Sequence, residues 1–157
     1  MKNTEKTNVM RVLDGKKIPY ESRSYEPDPT RSGEEIAGIL GEDPAHVFKT
    51  LVTRGKTGQY YVFVIPVGGE LELKKAAKAA GEKSIEMIRQ KELLPLTGYV
   101  HGGCSPIGMK KQFRTFLHET AAEYDRIFVS AGKVGFQIGI APEALMNVVN
   151  AGLADLI

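Results

Sequence analysis

The sequence has very few of the residues that hold small proteins together through disulfides or metals. Its 157 residues include one cysteine and three histidines. A single cysteine excludes a disulfide-bonded scaffold and every zinc site built on a CxxC pair. The histidines, His46, His101 and His118, do not have the spacing of metal ligands. We therefore expect no bound metal and no cofactor.

Long hydrophobic runs are also absent. No apolar stretch approaches the ~20 residues that span a bilayer. The N-terminal residues MKNTEKTNVM have no hydrophobic segment after their charges, so they do not form a secretory signal. We expect a soluble, cytoplasmic protein with no membrane partner.

The composition is that of an ordinary globular domain. Hydrophobic residues make up 42% and charged residues 25%, which excludes a disordered chain, and the length predicts one domain over residues 1–157. A net charge of +2 is too small to predict nucleic-acid binding by itself. Basic residues form two groups along the chain, and each is either a solvated helix face or a contact to phosphates. The first group is Lys74, Lys75, Lys78 and Lys83, and the second is Lys110, Lys111 and Arg114.

Strand and helix patterns are mixed along the chain. The strongest pattern is a β-hairpin, in which Val47–Thr53 and Gln59–Val67 flank a turn over Gly55–Gly58. A capping box at Ser32 predicts a helix that ends at Gly41. The other predicted elements are a helix over 4–15, a strand over 18–25, a helix over 73–80, an ambiguous segment over 85–88, a helical turn over 92–96, strands over 114–117, 126–130 and 136–140, and a helix from 142. Without strict βαβ alternation, this order predicts a mixed α/β (α+β) fold.

Lys49 is the first candidate for a functional residue. Because side chains alternate along a strand, it shares a face with Val47 and Leu51. A lysine among apolar neighbours either extends its amine to water from an edge or directs its charge into a pocket. In a pocket it would be a fixed positive charge for an anionic or polar group.

The second candidate is the segment GGCSPIG over residues 102–108, which we call the glycine loop. Its glycines permit positive φ and a close approach of backbone to ligand, so the N–H groups of Gly102 and Gly103 could hold a carbonyl oxygen or a phosphate. Pro106 favours an extended conformation for Ser105. The alternative is a structural turn, which uses the same residue types. The loop does not match the GxxxxGK[ST] pattern of a P-loop.

A third candidate is the turn that begins at Ser130 and continues through Gly132 to Gly135, at the end of a predicted strand. The alternative to a functional site is simply a hairpin turn, and the pattern alone favours the turn.

Cys104 is the only thiol and lies three residues after His101. A Cys/His hydrolase would need a histidine that reaches the sulfur, usually from a distant segment. No nucleophile signature surrounds Cys104, and neither a GxSxG nor an HExxH motif occurs. The pattern favours a small, partly buried loop residue.

Taken together, several segments resemble the YbaK/EbsC family, whose members include Cys-tRNA(Pro) deacylases and relatives of the editing domain inserted in bacterial prolyl-tRNA synthetases. The most specific segments are VFKTLV over residues 47–52 and GGCSPIGMKK over 102–111. Others support the resemblance by their order, namely YEPDP over 25–29, PVGG over 66–69, LELKKAAKA over 71–79, TGYV over 97–100 and VSAGK over 129–133. The resemblance covers nearly the whole chain.

The resemblance implies a single compact domain with a mixed, partly barrel-like sheet surrounded by helices. It also implies a metal-free pocket for the 3′-terminal aminoacyl-adenosine of a mischarged tRNA. The key lysine of the family falls on Lys49, and other expected pocket positions are Tyr25, Thr50, Gly102, Gly103, Ser105 and Ser130. The implied partners are mischarged tRNA and prolyl-tRNA synthetase.

One position departs from the family pattern. Cysteine-specific members often have an acidic residue in a GxDIxLA-like segment, where this chain has Gln137 in GFQIGIA over residues 135–141. A glutamine can donate and accept hydrogen bonds but carries no charge. If the acidic residue positions the substrate amine, this chain either binds the amine more weakly or prefers another aminoacyl group.

The implied activity is trans-editing, the hydrolysis of Cys-tRNA(Pro) without an enzyme nucleophile. The resemblance implies that the substrate thiol attacks its own carbonyl and leaves as a thiolactone, so the enzyme supplies position and an oxyanion site. On this hypothesis Gly102 and Gly103 support the oxyanion, and Lys49 holds the ribose–phosphate end or the carbonyl. The alternatives are a non-catalytic tRNA- or nucleotide-binding module, a deacylase with another aminoacyl preference, and a hydrolase that uses Cys104.

Overall fold

The strands of this protein come from distant parts of the chain and form two sheets. The computed structural model describes residues 5–28 and 30–157. The helices are α1 (Asn8–Gly15), α2 (Gly33–Leu40), α3 (Leu73–Ala80), α4 (Gln90–Thr97) and α5 (Pro142–Val149). The strands are β1 (Glu21–Ser24), β2 (Phe48–Gly55), β3 (Tyr60–Pro66), β4 (Ile85–Met87), β5 (Arg114–His118), β6 (Ile127–Ser130), β7 (Phe136–Ile140) and β8 (Gly152–Ala154). Two 3-10 segments, Pro44–His46 and Glu119–Glu123, complete the described elements.

The smaller sheet has the order β1-β7-β6 and is antiparallel throughout. Gln137 on the central strand lies opposite Arg23 on one side and Ser130 on the other. Residues directly opposite each other in a sheet project to the same face. The sheet therefore places these three polar side chains in one row.

The larger sheet has the order β4-β2-β3-β5-β8 and contains the predicted hairpin as β2 and β3. The pairs β2–β3 and β2–β4 are antiparallel, whereas β3–β5 and β5–β8 are parallel. Lys49 lies opposite Ile65 in the hairpin. The sequence prediction of a mixed sheet is therefore correct.

The two sheets meet at a parallel bridge between Val47 and Phe128. Both sheets remain open and do not close into a barrel. Their side chains join those of α1 and α5 in the main hydrophobic core, which includes Leu13, Val62 and Ile138. The expected mixed, partly barrel-like α/β fold is confirmed.

The start of α2 is fixed by the predicted capping box. The hydroxyl of Ser32 accepts from the Glu35 N–H, and the Glu35 carboxylate accepts from the Ser32 N–H. This pair satisfies two backbone donors that a helix otherwise leaves free. The helix ends at Gly41, whose φ of 70° is left-handed and suits glycine.

Some boundaries differ from the sequence predictions. The helix predicted over residues 4–15 begins at Asn8, because the Thr7 hydroxyl caps it by accepting from the Met10 N–H at 3.3 Å. The ambiguous segment after α3 is the short strand β4, and β8 was not predicted. The parts of the predictions that fall on residues 1–4 and 29 lie outside the described residues. Among the described helices, none has the length and apolar character needed to cross a bilayer.

Candidate functional site

A cavity of about 340 Å³ lies where the start of β2, the start of α2, the glycine loop and the strands β6 and β7 come together. Six of the expected site residues line it: Tyr25, Lys49, Thr50, Gly102, Ser130 and Gln137. The fold thus brings the candidates from the residue pattern, Lys49, Gly102 and Ser130, together with positions that only the family resemblance implied. Their role in binding substrate stays a prediction.

Lys49 contributes a cation to this cavity. Val47 and Leu51 line the same cavity, but so do Phe48 and Thr50 between them, so the alternation of side chains does not by itself explain the lining. Within the described part of the chain, Lys49 has no hydrogen-bond or ion-pair partner. An amine with no acidic partner beside an apolar wall is suited to bind an anionic or carbonyl group of a ligand.

Arg31 adds a second positive charge to the cavity wall, and the sequence analysis did not identify it. Its guanidinium lies 3.7 Å from the Asp28 carboxylate and donates to the Glu26 carbonyl at 3.4 Å. These contacts hold the arginine just before the helix α2. The only sequence signal for it was its place next to the capping residue Ser32.

Thr50 contributes a hydroxyl that is not hydrogen-bonded within the described part of the chain. Its Oγ1 atom is enclosed and makes no hydrogen bond to any described residue, although the residue lines the cavity. Burying a hydroxyl without a partner costs free energy. A ligand that bonds to this oxygen would recover that cost.

The glycine loop contributes Gly102 to the cavity wall but not Gly103 or Ser105. Gly102 has a φ of 86°, a left-handed conformation that glycine adopts freely. The N–H of Gly103 donates to the Val100 carbonyl at 3.0 Å, and a Cβ at this position would lie 2.9 Å from the Val134 nitrogen. The Gly103 N–H is therefore bonded to Val100 and is not available for the expected oxyanion. The absence of a side chain lets Gly103 pack closely against the backbone of Val134.

Ser105 is fully buried behind the cavity wall. Its hydroxyl oxygen accepts from the Ile107 N–H at 3.3 Å, which stabilises the turn of the loop. Ser130 does line the cavity, and its oxygen accepts from the Gly132 N–H at 3.1 Å. A serine oxygen has a second lone pair and a proton, so Ser130 can still bind a ligand.

Cys104 and His101 both line the cavity. Burial, partly offset by a hydrogen bond to Thr97, raises the pKa of the Cys104 thiol to about 12. The thiolate is the nucleophilic form of cysteine, so at neutral pH this thiol is unreactive. The geometry favours the loop-residue interpretation.

Gln137 connects the cavity to an acidic residue that sequence reasoning missed. With its nitrogen turned toward Glu42, the Gln137 amide donates to both carboxylate oxygens, at 3.0 and 3.2 Å. The Glu42 side chain is only 4% exposed, and one of its oxygens lies 3.4 Å from Arg23 Nε. Glu42 follows the end of α2 in a polar segment, where a glutamate gives no signal of a buried role.

The donor set of the site contains no cluster suited to a metal. Within residues 5–28 and 30–157, no three or more His, Cys, Asp or Glu side chains are grouped closely enough to hold a metal ion. What the cavity offers is cations, hydroxyls, an amide and backbone groups. Such a set can bind and orient a polar ester with an anionic end.

Comparison with known proteins gives consistent matches. The family model described as "Aminoacyl-tRNA editing domain" matches residues 27–148. The chain is 47% identical over 156 residues to the Enterococcus faecalis protein named "Putative Cys-tRNA(Pro)/Cys-tRNA(Cys) deacylase EbsC", covering 99% of this chain and 95% of the relative. It is 26% identical over 102 residues to the proline–tRNA ligase of Thermosipho melanesiensis, covering 65% of this chain and 18% of that longer protein.

A solved structure supports the fold independently. The crystal structure described as that of "a putative trans-editing enzyme for prolyl tRNA synthetase" superposes with a TM-score of 0.80 at 24% identity, covering 97% of this chain and 98% of the other. At this identity the match shows the shared fold. The family model covers most of the chain and the Enterococcus faecalis relative matches almost all of it, so the chain belongs to the aminoacyl-tRNA editing domain family.

Proposed function

We propose that this protein is a trans-editing deacylase that hydrolyses Cys-tRNA(Pro). The observation that carries the proposal is the cavity in which Lys49, which has no ion-pair partner among the described residues, lies with Thr50, Gly102 and Ser130. The name of the 47% identical relative supports the substrate. A family whose description is aminoacyl-tRNA editing supports the reaction class.

Each lining group has a role that follows from its chemistry. Lys49 binds the ribose–phosphate end or the ester carbonyl, since it is a cation without a partner among the described residues. The Gly102 N–H supports the developing oxyanion, and we leave Gly103 out of this role because its N–H binds Val100. Tyr25, Thr50 and Ser130 bind polar groups of the adenosine or the amino acid.

The substrate itself provides the nucleophile. The cysteine sulfur attacks its own carbonyl carbon, the bond to the ribose 3′ oxygen breaks, and that oxygen takes the proton lost by the thiol. Water then opens the thiolactone to give free cysteine. The raised pKa of Cys104 supports a reaction in which the enzyme thiol takes no part. The enzyme raises the rate by holding the substrate's sulfur within contact distance of its carbonyl carbon.

The proposed partners are mischarged tRNA and prolyl-tRNA synthetase, in the cytoplasm where tRNA is charged. Of the basic residues expected to contact phosphates, Lys75 forms an ion pair with Asp155 at 2.9 Å and Arg114 donates to the Ala80 carbonyl at 3.1 Å. Five lysines remain exposed and are our candidates for contacts to the acceptor stem: Lys74, Lys78, Lys83, Lys110 and Lys111. So small a basic surface reads little tRNA sequence, which supports a synthetase partner that selects the tRNA.

The test is deacylation of Cys-tRNA(Pro), with Ala-tRNA(Pro) and Cys-tRNA(Cys) in parallel. We expect rapid loss of cysteine and slow loss of alanine, because alanine has no thiol. Lys49→Ala should abolish turnover, whereas Lys56→Ala, which removes an exposed lysine in the hairpin turn, should not. Both variants should keep the circular dichroism spectrum of the wild type.

Three outcomes would contradict the proposal. Full activity in a folded Lys49→Ala protein would remove Lys49 from the reaction. Rapid clearance of alanine would exclude the thiol-assisted step. Binding of tRNA without turnover of any substrate would identify a binding module instead of an enzyme.

A further inference from the structure

Glu42 is a buried carboxyl group that the proposed reaction does not use. Its side chain is 4% exposed, and the closest charged atom is Arg23 Nε at 3.4 Å. That nitrogen makes no hydrogen bond to any described residue, so the contact is poorly aligned. Such a group is costly to bury unless its hydrogen bonds compensate.

The hydrogen bonds of Glu42 come from the cavity residue Gln137. When the amide is assigned with its nitrogen toward the carboxylate, this nitrogen donates to one oxygen at 3.0 Å and to the other at 3.2 Å. Turning the amide by half a rotation would place its oxygen against two acceptor oxygens. The ionised carboxylate therefore selects one orientation of the amide.

The selected orientation decides what the amide offers to a ligand. The amide group is planar, so when its nitrogen faces Glu42, its carbonyl oxygen lies on the other branch. Gln137 lines the cavity and lies in one row with Ser130. An amide oxygen accepts hydrogen bonds, whereas an amide nitrogen donates them, so only the former can bind an ammonium group.

We propose that Glu42 is a positioning residue that holds the Gln137 amide with its carbonyl oxygen toward the cavity, where that oxygen accepts a hydrogen bond from the α-ammonium group of the aminoacyl ester. The inference rests on the proposed function, because it assigns the place of one substrate group. It explains how the neutral residue Gln137 can bind an ammonium ion. The negative charge that favours the correct amide orientation is that of Glu42, behind the cavity wall.

This arrangement changes with pH. Burial, reinforced by Glu21 and partly offset by Arg23, raises the pKa of Glu42 to about 7. Among the described residues, Glu21 and Arg23 on β1 and Gln137 on β7 are the charged and polar groups recorded as interacting with it. Above this pH the carboxylate accepts from the amide nitrogen. Below it the carboxyl proton is a donor that prefers the amide oxygen, which turns the nitrogen to the cavity.

The kinetic test uses Glu42→Gln, which keeps the shape but removes both the charge and the titration. At about pH 8, KM for Cys-tRNA(Pro) should rise about fivefold and kcat should change less than about twofold, since one hydrogen bond of orientation is lost. Near pH 6 the ratio of the two KM values should approach one. The ratio cancels the titration of the substrate's own amine, which falls in the same range.

Two further variants separate positioning from a general effect on structure. Glu21→Gln removes a neighbouring carboxylate that contacts Arg23 and Arg126 but not Gln137, and at about pH 8 its KM should stay within about twofold of the wild-type value. In the background of Gln137→Ala, Glu42→Gln should cause no further rise in KM. A purely structural role of Glu42 would raise KM in both backgrounds, and this result would overturn the inference.

A second measurement does not depend on activity. The side-chain amide of Gln137 gives an NMR cross-peak that can be identified by its loss in Gln137→Ala. Its chemical shift should titrate near neutral pH in the wild type and stay constant in Glu42→Gln. A constant shift in the wild type would overturn the inference while leaving hydrolysis of Cys-tRNA(Pro) intact. Normal titration without hydrolysis would instead refute the proposed function and, with it, the assignment of the ammonium site.

Discussion

Replacing Thr50 by valine should make the protein more stable and less active. The Oγ1 atom of Thr50 is enclosed and has no hydrogen-bond partner among the described residues, while the residue lines the cavity. Valine has nearly the same shape and no hydroxyl. The substitution therefore removes a buried polar group that has no partner among the described residues, together with the hydrogen bond to substrate that the proposed function assigns to it.

The magnitude follows from the cost of an unsatisfied hydroxyl, which is about 1–3 kcal/mol. If about 1 kcal/mol is recovered, the melting temperature of a domain of this size rises by about 2–4 °C. The lost contact to substrate is worth about 0.5–1.5 kcal/mol, which lowers kcat/KM by about twofold to tenfold. Stability and activity thus change in opposite directions.

Thr53 provides a matched control on the same strand. It is fully buried, but its hydroxyl donates to the Tyr61 carbonyl at 3.0 Å, and it does not line the cavity. Thr53→Val should therefore lower stability by about 1 kcal/mol and leave kcat/KM unchanged. The measurements are thermal melts by circular dichroism and deacylation of Cys-tRNA(Pro). A loss of stability in Thr50→Val equal to that in Thr53→Val would refute the reasoning.

Two further predictions concern buried titratable groups. Cys104→Ser should keep kcat/KM within about twofold of the wild-type value, because burial raises the pKa of this thiol to about 12; loss of activity would restore the Cys104 nucleophile. The imidazole of His118 accepts from the Leu156 N–H at 3.1 Å, and burial lowers its pKa. The unfolded chain therefore binds this proton first, so the free energy of unfolding should fall as pH drops below about 6.5. Urea titrations of the wild type and His118→Asn should show this component only in the wild type.

Local sequence patterns predicted most helices and strands well, because caps, glycine stops and hydrophobic periodicity depend only on residues close together in the sequence. The helix α3 runs over the predicted residues and ends before Gly81, and the capping box of Ser32 forms as its residue types require. The strand β8 escaped prediction because Gly152–Ala154 lacks alternation and is held by parallel pairing with β5. The helical turn predicted over 92–96 is part of a longer helix, Gln90–Thr97, which contains Pro95 and begins where the Glu92 carboxylate accepts from the Arg89 N–H.

The site was predictable where a residue conflicts with its local surroundings. Lys49 stands out because a lysine alternates with apolar neighbours, and the glycine loop stands out because it groups glycines. Glu42 shows no such conflict, because a glutamate after a helix is usually solvated. Its burial depends on the pairing of β1 with β7, which places Arg23 opposite Gln137.

The division between predictable and unpredictable residues therefore has a physical basis. Lys49 and the glycine loop leave a trace in the sequence, because their chemistry is unusual for their element. Arg31 lines the same cavity without such a trace, and Tyr25 and Thr50 were expected only from the family resemblance. Groups that act through another side chain need only a short distance in the folded state, as between Glu42 and the Gln137 nitrogen at 3.0 Å. The presence of Gln137 where the family pattern has an acidic residue therefore cannot be interpreted from that position alone. On the inference above, the negative charge comes from Glu42 in a neighbouring segment.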